Sequence, residues 1–179
     1  KSVFDTLSAN GYKAHLFDFN SDNPKLLSDF ILKNRIDIVF NLMHGIGGED
    51  GTVQRYLEDL SIKSIGSDSK SSQASFNKIS TKKTWQDINL PTPNFCSISK
   101  DIFEYDLLDN FGEKIVLKPI ESGSSVGIKI LKTKDLLLND NKASFDNLCA
   151  SMDEGFSVSK YFIEEYIDCP EYTAPIIAG

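Results

Sequence analysis

The near-continuous apolar run Ile36-Asp37-Ile38-Val39-Phe40-Asn41-Leu42 breaks straight into the loop His44-Gly45-Ile46-Gly47-Gly48-Glu49-Asp50-Gly51. Such a run reads as a buried strand of the parallel-sheet kind. Beyond the loop, Val53, Tyr56, Leu57 and Leu60 recur at the i, i+3, i+4, i+7 spacing of an amphipathic helix, with Thr52 in place to cap it. Upstream, Val3 to Leu7 reads as a helix closed by Gly11, Ala14 to Phe19 alternates as a strand, and Asp29 to Asn34 reads as another helix. Strands alternating with helices predict an open, doubly wound parallel sheet.

The pattern changes further along. Ser64 to Ser72 is a Ser/Gly/Asp-rich connection, and a helix is predicted from there to about Asn89, with Ala74, Ile79, Trp85 and Ile88 as core contacts. Pro91 and Pro93 end it. After Phe95 the strands pair as hairpins: Ile115–Lys118 with Ile128–Leu131, then Tyr161–Ile167 followed by Tyr172–Ile177, with helical stretches near Leu136 and Asn147 between. The expected organisation is therefore α/β in two domains. Residues 1–72 form an N-terminal doubly wound parallel-sheet domain, and residues 73–179 an α+β domain of antiparallel strands. The chain opens on a helix and stops at Ile176-Ile177-Ala178-Gly179, as if within a strand, so it is expected to be a piece of a longer protein.

Between the hairpin strands at 114–118 and 127–131 lies Pro119-Ile120-Glu121-Ser122-Gly123-Ser124-Ser125-Val126. Small residues let backbone amides approach an anion, Lys118 adds a point charge, and the serines add hydroxyl donors. Two familiar phosphate loops are excluded by spacing. A Walker loop needs Gly-x-x-x-x-Gly-Lys-Ser/Thr, whereas Gly123 and Gly127 stand too close and Ile128 occupies the lysine position. The dinucleotide fingerprint fails in the first loop because Asp50 stands where its sixth-position glycine belongs. What remains is either a flap over a phosphate chain or a hairpin turn built from small residues.

A net charge of −7 supplies no basic field for nucleic acid or an anionic membrane. Cys96, Cys149 and Cys169 include no Cys-x-x-Cys pair, which favours reduced thiols in the cytoplasm over a disulfide frame or zinc site. No apolar run reaches transmembrane length, and the N-terminus has no signal-peptide pattern.

Three clusters are candidates for chemistry. His44 opens a loop at the C-terminal end of a parallel strand, where ligands of open sheets bind and the next helix N-terminus attracts anions. It could donate to a carboxylate substrate or be tied to backbone within the loop. Lys78, after Asn77, could converge with Lys118, Ser124 and Ser125 on one phosphate chain, or simply ride a solvated helix face. Finally, Phe162-Ile163-Glu164-Glu165-Tyr166-Ile167 leads to Glu171 in an extended connection. Its backbone could meet an adenine edge while Glu171 accepts from ribose hydroxyls; an edge strand with a polar turn would use the same residues.

In this order, the clusters His-Gly-x-x-Gly-Glu-Asp-Gly, Lys-Pro…Gly-Ser-Ser-Val-Gly and Glu-x-Tyr-Ile…Glu-x-Thr resemble the D-alanine–D-alanine ligases of the ATP-grasp superfamily. The resemblance covers nearly the whole chain, most clearly Ile36 to Ile177. It implies that residues 73–179 are the central part of an incomplete ATP-grasp domain, and that the activity is ATP-dependent joining of two D-alanines for peptidoglycan. It further implies that Lys78 and Lys118 hold ATP phosphates, and that Ser124 and Ser125 lie in the flap, with Ser124 orienting the substrate. His44 would sit beside the first D-alanine, Glu164, Glu165 and Ile167 at the adenine, and Glu171 at the ribose. Mg2+ or Mn2+ is implied as cofactor, with its ligands expected in a C-terminal part beyond this chain, and a homodimer through the first domain is a family habit. The chain alone is then expected to be inactive. Asn77 stands where the family often has Asp, and Cys169 replaces a usual glycine. An ATP-grasp ligase with another second substrate, D-lactate included, or a non-catalytic nucleotide-binding module would fit the same motifs.

Overall fold

The computed structural model of the chain describes residues 2–98, 111–123, 125–136 and 157–174. It divides into two compact units, Lys1–Ser75 and Phe76–Gly179.

In the first unit, helices α1 (Ser2–Ala9) and α2 (Lys25–Asn34) precede strand β1 (Ile38–Phe40). Helix α3 (Thr52–Asp59) then crosses to β2 (Lys63–Ile65), and α4 (Ser69–Phe76) follows. Strands β1 and β2 are parallel, with Val39 opposite Ser64, so the βαβ reading of this stretch holds. The predicted stripe on α3 does the packing: Val53 and Leu57 join Leu27 and Ile31 of α2 in one core, flanked by Phe19, Ile36, Val39, Tyr56 and Ile62. Burying each such side chain contributes about 1.5–3 kcal/mol.

Three local expectations in this unit need correction. Ala14–Phe19 is not a strand. Its alternating aromatics reach helices instead, Phe17 packing tilted against Phe30 with ring centroids 4.8 Å apart and Phe19 against Tyr56 at 6.4 Å. Strand β1 is shorter than the apolar run and is not buried on both faces, since Ile38 and Phe40 are about half exposed while Val39 faces the core. Thr52 is the first residue of α3 rather than its cap. The cap position belongs to Gly51 at φ 89°, and Asp50 accepts from the Thr52 amide through Oδ1 at 3.0 Å.

In the second unit, helix α5 (Lys78–Asp87) leads to a four-stranded antiparallel sheet in the order β3-β6-β4-β5. Its strands are β3 (Phe95–Ser97), β4 (Lys114–Pro119), β5 (Lys129–Lys132) and β6 (Tyr161–Glu165). The predicted hairpin is present, with Val116 opposite Ile130 and Leu117 opposite Lys129. Strand β6 takes its place between β3 and β4, and Ile115, Leu117, Phe162 and Ile163 are wholly buried. The expected partner at 172–177 does not pair as a strand over 172–174, and its remainder lies outside the described residues, as does the stretch near Asn147. A single turn of helix at Thr133–Leu136 answers to the other predicted helical stretch.

The long helix predicted from Ser72 to Asn89 is two helices. Asn77 breaks it: its backbone is extended, its side-chain oxygen accepts from the Ser80 amide at 2.9 Å, and its side-chain amide donates to Glu121 at 2.9 Å. Asparagine competes with helical hydrogen bonding in this way and favours the N-cap. Two of the expected core contacts, Trp85 and Ile88, are exposed, and the buried residue of α5 is Lys82. Among the described residues no helix is long and apolar enough to cross a membrane.

Gly51 leaves no room for a side chain. A Cβ there would lie 2.4 Å from the Ser69 carbonyl oxygen, on a backbone already left-handed. Gly51→Ala is expected to destabilise the unit by about 2–4 kcal/mol, seen as faster amide exchange across Thr52–Asp59 in mass spectrometry.

Candidate functional site

The second unit brings charged side chains together around Glu164. This residue is 5% exposed, on the central strand β6. Its Oε1 pairs with the Lys82 ammonium and its Oε2 with the Lys118 ammonium. Lys82 is 4% exposed, and its Nζ also donates to Thr92 Oγ1 at 2.7 Å and to the Pro93 carbonyl at 3.0 Å. The same ammonium lies 5.0 Å from the centre of the Phe95 ring. Lys118 comes from β4 directly beside β6, where it stands opposite Phe162, and its side chain is 28% exposed.

Pairing on a sheet explains the contact. Lys118 and Glu164 sit on adjacent antiparallel strands, offset by two residues, and therefore point to the same face. Lys82 reaches that face from α5, four residues after Lys78. Sequence reasoning passed over Lys82. The available signal was the poverty of α5 in apolar residues, which left a helix with little to bury except the stem of a lysine.

Lys78 meets the stretch that follows β4. Its amide donates to the Ile120 carbonyl at 3.0 Å and its Nζ to the Ser122 carbonyl at 2.7 Å. The start of α5 is thus laced onto the stretch after β4, the strand that carries Lys118. At the far side of that loop Ser125 adopts φ 58° and Gly127 φ 79°. A Cβ on Gly127 would lie 2.9 Å from Pro119 Cγ and 3.0 Å from the Tyr161 hydroxyl, so the hairpin closes tightly at its base. Ser124 lies outside the described residues.

Glu165 faces another task in the described structure. Its Oε2 accepts from Asn94 Nδ2 at 3.0 Å, and its amide donates to the Asn94 carbonyl at 2.9 Å, which ties β6 to the approach to β3. Ile167 is 49% exposed and Glu171 is exposed beyond the end of β6.

The first unit holds His44 in a different setting. Its side chain is 80% exposed, with Nδ1 3.8 Å from Glu49 Oε1. The loop supplies its own anions: Glu49 Oε2 accepts from the Gly45 amide at 2.7 Å and Asp50 Oδ2 from the Gly47 amide at 2.8 Å. Burial pushes the Asp50 carboxyl up, but donors from Gly47 and Thr52 outweigh it and hold the group below the usual carboxylate range. Nearby, the Ser69 hydroxyl and amide both donate to Glu58, at 2.6 and 2.7 Å, and likewise hold that carboxyl low.

No family model matches the chain. Individual relatives do. The chain is 32% identical to the D-alanine–D-alanine ligase of Saccharophagus degradans over 178 residues, which is 99% of this chain and 52% of that protein. It is 30% identical to D-alanine–D-alanine ligase B of Pseudomonas putida over 180 residues, again 52% of the relative. The chain is homologous to the D-alanine–D-alanine ligases. It spans about half the length of the curated relatives it matches. In structure it superposes on the ligase of Bacillus anthracis with a TM-score of 0.69 and 30% identity, covering 93% of this chain and 51% of that one. A second structure of the Bacillus anthracis ligase, complexed with ATP, matches at a TM-score of 0.65 and 28% identity over 89% of this chain and 49% of that one. The fold is therefore the α/β, ATP-grasp arrangement of these ligases.

Two outcomes are expected from this geometry. Glu164→Gln removes the shared counter-ion of a buried and a half-buried lysine, and should lower stability by about 3–5 kcal/mol, measured by urea unfolding followed through Trp85 fluorescence. For Asp50, a depressed folded pKa means that its stabilisation is full above the ordinary carboxylate pKa and is lost as pH falls through the folded value. Asp50→Asn should therefore flatten the acid limb of the melting temperature plotted against pH.

Proposed function

We propose that this chain carries the nucleotide-holding part of an ATP-dependent D-alanine–D-alanine ligase that makes a peptidoglycan precursor in the cytoplasm. The observations that support the reading are Lys78 on the Ser122 carbonyl of the loop after β4 and Lys118, at the end of β4, on Glu164, in a chain similar to such ligases over 99% of its length. Residues 1–72 serve the substrate side and residues 73–179 the nucleotide side.

In the proposed reaction the first D-alanine carboxylate attacks the γ-phosphorus of ATP, the bond to the β,γ-bridging oxygen breaks, and ADP leaves. The product is an acyl phosphate, which converts a poor electrophile into one with a good leaving group. The amine of the second D-alanine attacks the acyl carbon, inorganic phosphate departs, and the amine proton is lost. Lys78 and Lys118 neutralise the phosphate chain, with Ser124 and Ser125 adding hydroxyl donors above it. Glu164, Glu165 and Ile167 line the adenine, Glu171 accepts from the ribose, and His44 donates to the first D-alanine.

Mg2+ or Mn2+ belongs to the proposed reaction. Among the described residues no group of three His, Cys, Asp or Glu side chains could hold a metal ion, so those residues do not fit one and no step here passes through it. The parent protein is proposed to act as a homodimer, and this chain alone to release no phosphate from ATP and D-alanine.

Calorimetric titration with ATP tests the reading. Binding is expected, and Lys78→Ala or Lys118→Ala should each weaken it by roughly tenfold or more, the value of a charge-assisted hydrogen bond. Equal affinity in both variants and the unmodified chain would remove the nucleotide assignment.

A further inference from the structure

Lys82 is the most deeply placed charge among the described residues, and the proposed reaction leaves it without a role. Four groups surround its ammonium: Glu164 Oε1, Thr92 Oγ1, the Pro93 carbonyl and the face of Phe95. Every one of them belongs to the second unit. Lys118, by contrast, pairs with Glu164 Oε2 and keeps part of its side chain in solvent. One carboxylate therefore has two cations of unequal freedom, one anchored and one able to turn away.

That asymmetry matters for a lysine meant to bind something else. A cation whose partner is a buried carboxylate can move to a ligand only if the carboxylate is not left without compensation. Were Lys118 the sole counter-ion of Glu164, ligand binding would have to strip it from a group that is 5% exposed. With Lys82 fixed on the other oxygen, the carboxylate keeps a charge partner when Lys118 leaves.

We propose that Lys82 is a positioning residue: it holds Glu164 from inside the sheet, and thereby frees Lys118 to exchange its carboxylate for an anionic group of the nucleotide. This deepens the ATP-binding reading and rests on it for the ligand, but not for the partition of Glu164 between two lysines. Lys82 itself touches no substrate in this scheme. Its contribution passes through the charge and orientation of Glu164 and through the strength with which Lys118 is retained.

The test follows Lys118 by its acylation rate, read by peptide mass spectrometry, alongside ATP affinity. Acylation needs an Nζ that can leave its ion pair, and a carboxylate with no other counter-ion holds Lys118 more tightly. In Lys82→Met, ligand-free Lys118 should react several-fold more slowly than in the unmodified chain, and ATP should bind roughly tenfold more weakly, within the range for directly coupled residues. Lys82→Arg should restore both towards the original values. Adding Glu164→Gln to Lys82→Met should restore the Lys118 rate, an effect that a loss of packing alone would not produce.

Circular dichroism establishes that each variant is folded. Should Lys82→Met not fold, the unmodified chain still decides. ATP must then slow Lys118 acylation while Lys82 stays unreactive with and without nucleotide, and exposure of Lys82 on ATP addition overturns the proposal. Unchanged Lys118 reactivity in folded Lys82→Met overturns it as well. If the unmodified chain binds no ATP, the nucleotide reading falls, while the ligand-free Lys118 rates still measure the partition.

Discussion

A carboxylate removed from water between two ammonium groups organises the second unit. Glu164 carries a desolvation cost that Coulombic attraction offsets only when both oxygens are well matched, and Lys82 and Lys118 match one each. The consequence reaches well beyond the three residues. Through Lys82 the cluster fastens α5 and the Thr92–Pro93 connection to β6, and through Lys118 it reinforces the β4–β6 ladder. Helix α5 has few apolar side chains with which to dock, so the ion pair supplies much of the reason it lies where it does. Phe162 and Ile163, wholly buried beside Glu164, keep the surroundings dry and the interaction strong.

The two glycine-bearing loops solve the same backbone problem differently. In His44–Gly51 the exposed amides are occupied by the loop's own Glu49 and Asp50, so an incoming anion would compete with two carboxylates. After β4, the loop is held from outside, by Lys78 on the Ser122 carbonyl and Asn77 on Glu121. A charge-assisted bond from an ammonium to a phosphate is stronger than one to a carbonyl. The proposed phosphate site lies beside the second loop.

Much of this was legible in the order of the amino acids. The α3 stripe, the β1-loop-α3 succession and the β4–β5 hairpin follow from side-chain periodicity, which each segment carries locally. Lys78 and Lys118 could be named because each adjoins a recognisable motif. Other features could not be read this way. The alternation at Ala14–Phe19 states which side chains share a face and not what lies against that face, and helices rather than a strand ladder took it up. The break at Asn77 depends on Glu121, far along the chain, drawing the asparagine side chain away from a continuous helix.

Lys82 marks the limit most clearly. Lysine in a polar helix reads as solvated, since burying its charge alone is prohibitive. Its burial becomes favourable only once Glu164, Thr92, Pro93 and Phe95, drawn from three other segments, are assembled around one ammonium. Local patterning thus specifies elements and their apolar faces, because those depend on neighbours within a few residues. The pairing of charges in the interior depends on segments that meet when the sheet forms, and no short-range signal encodes that meeting.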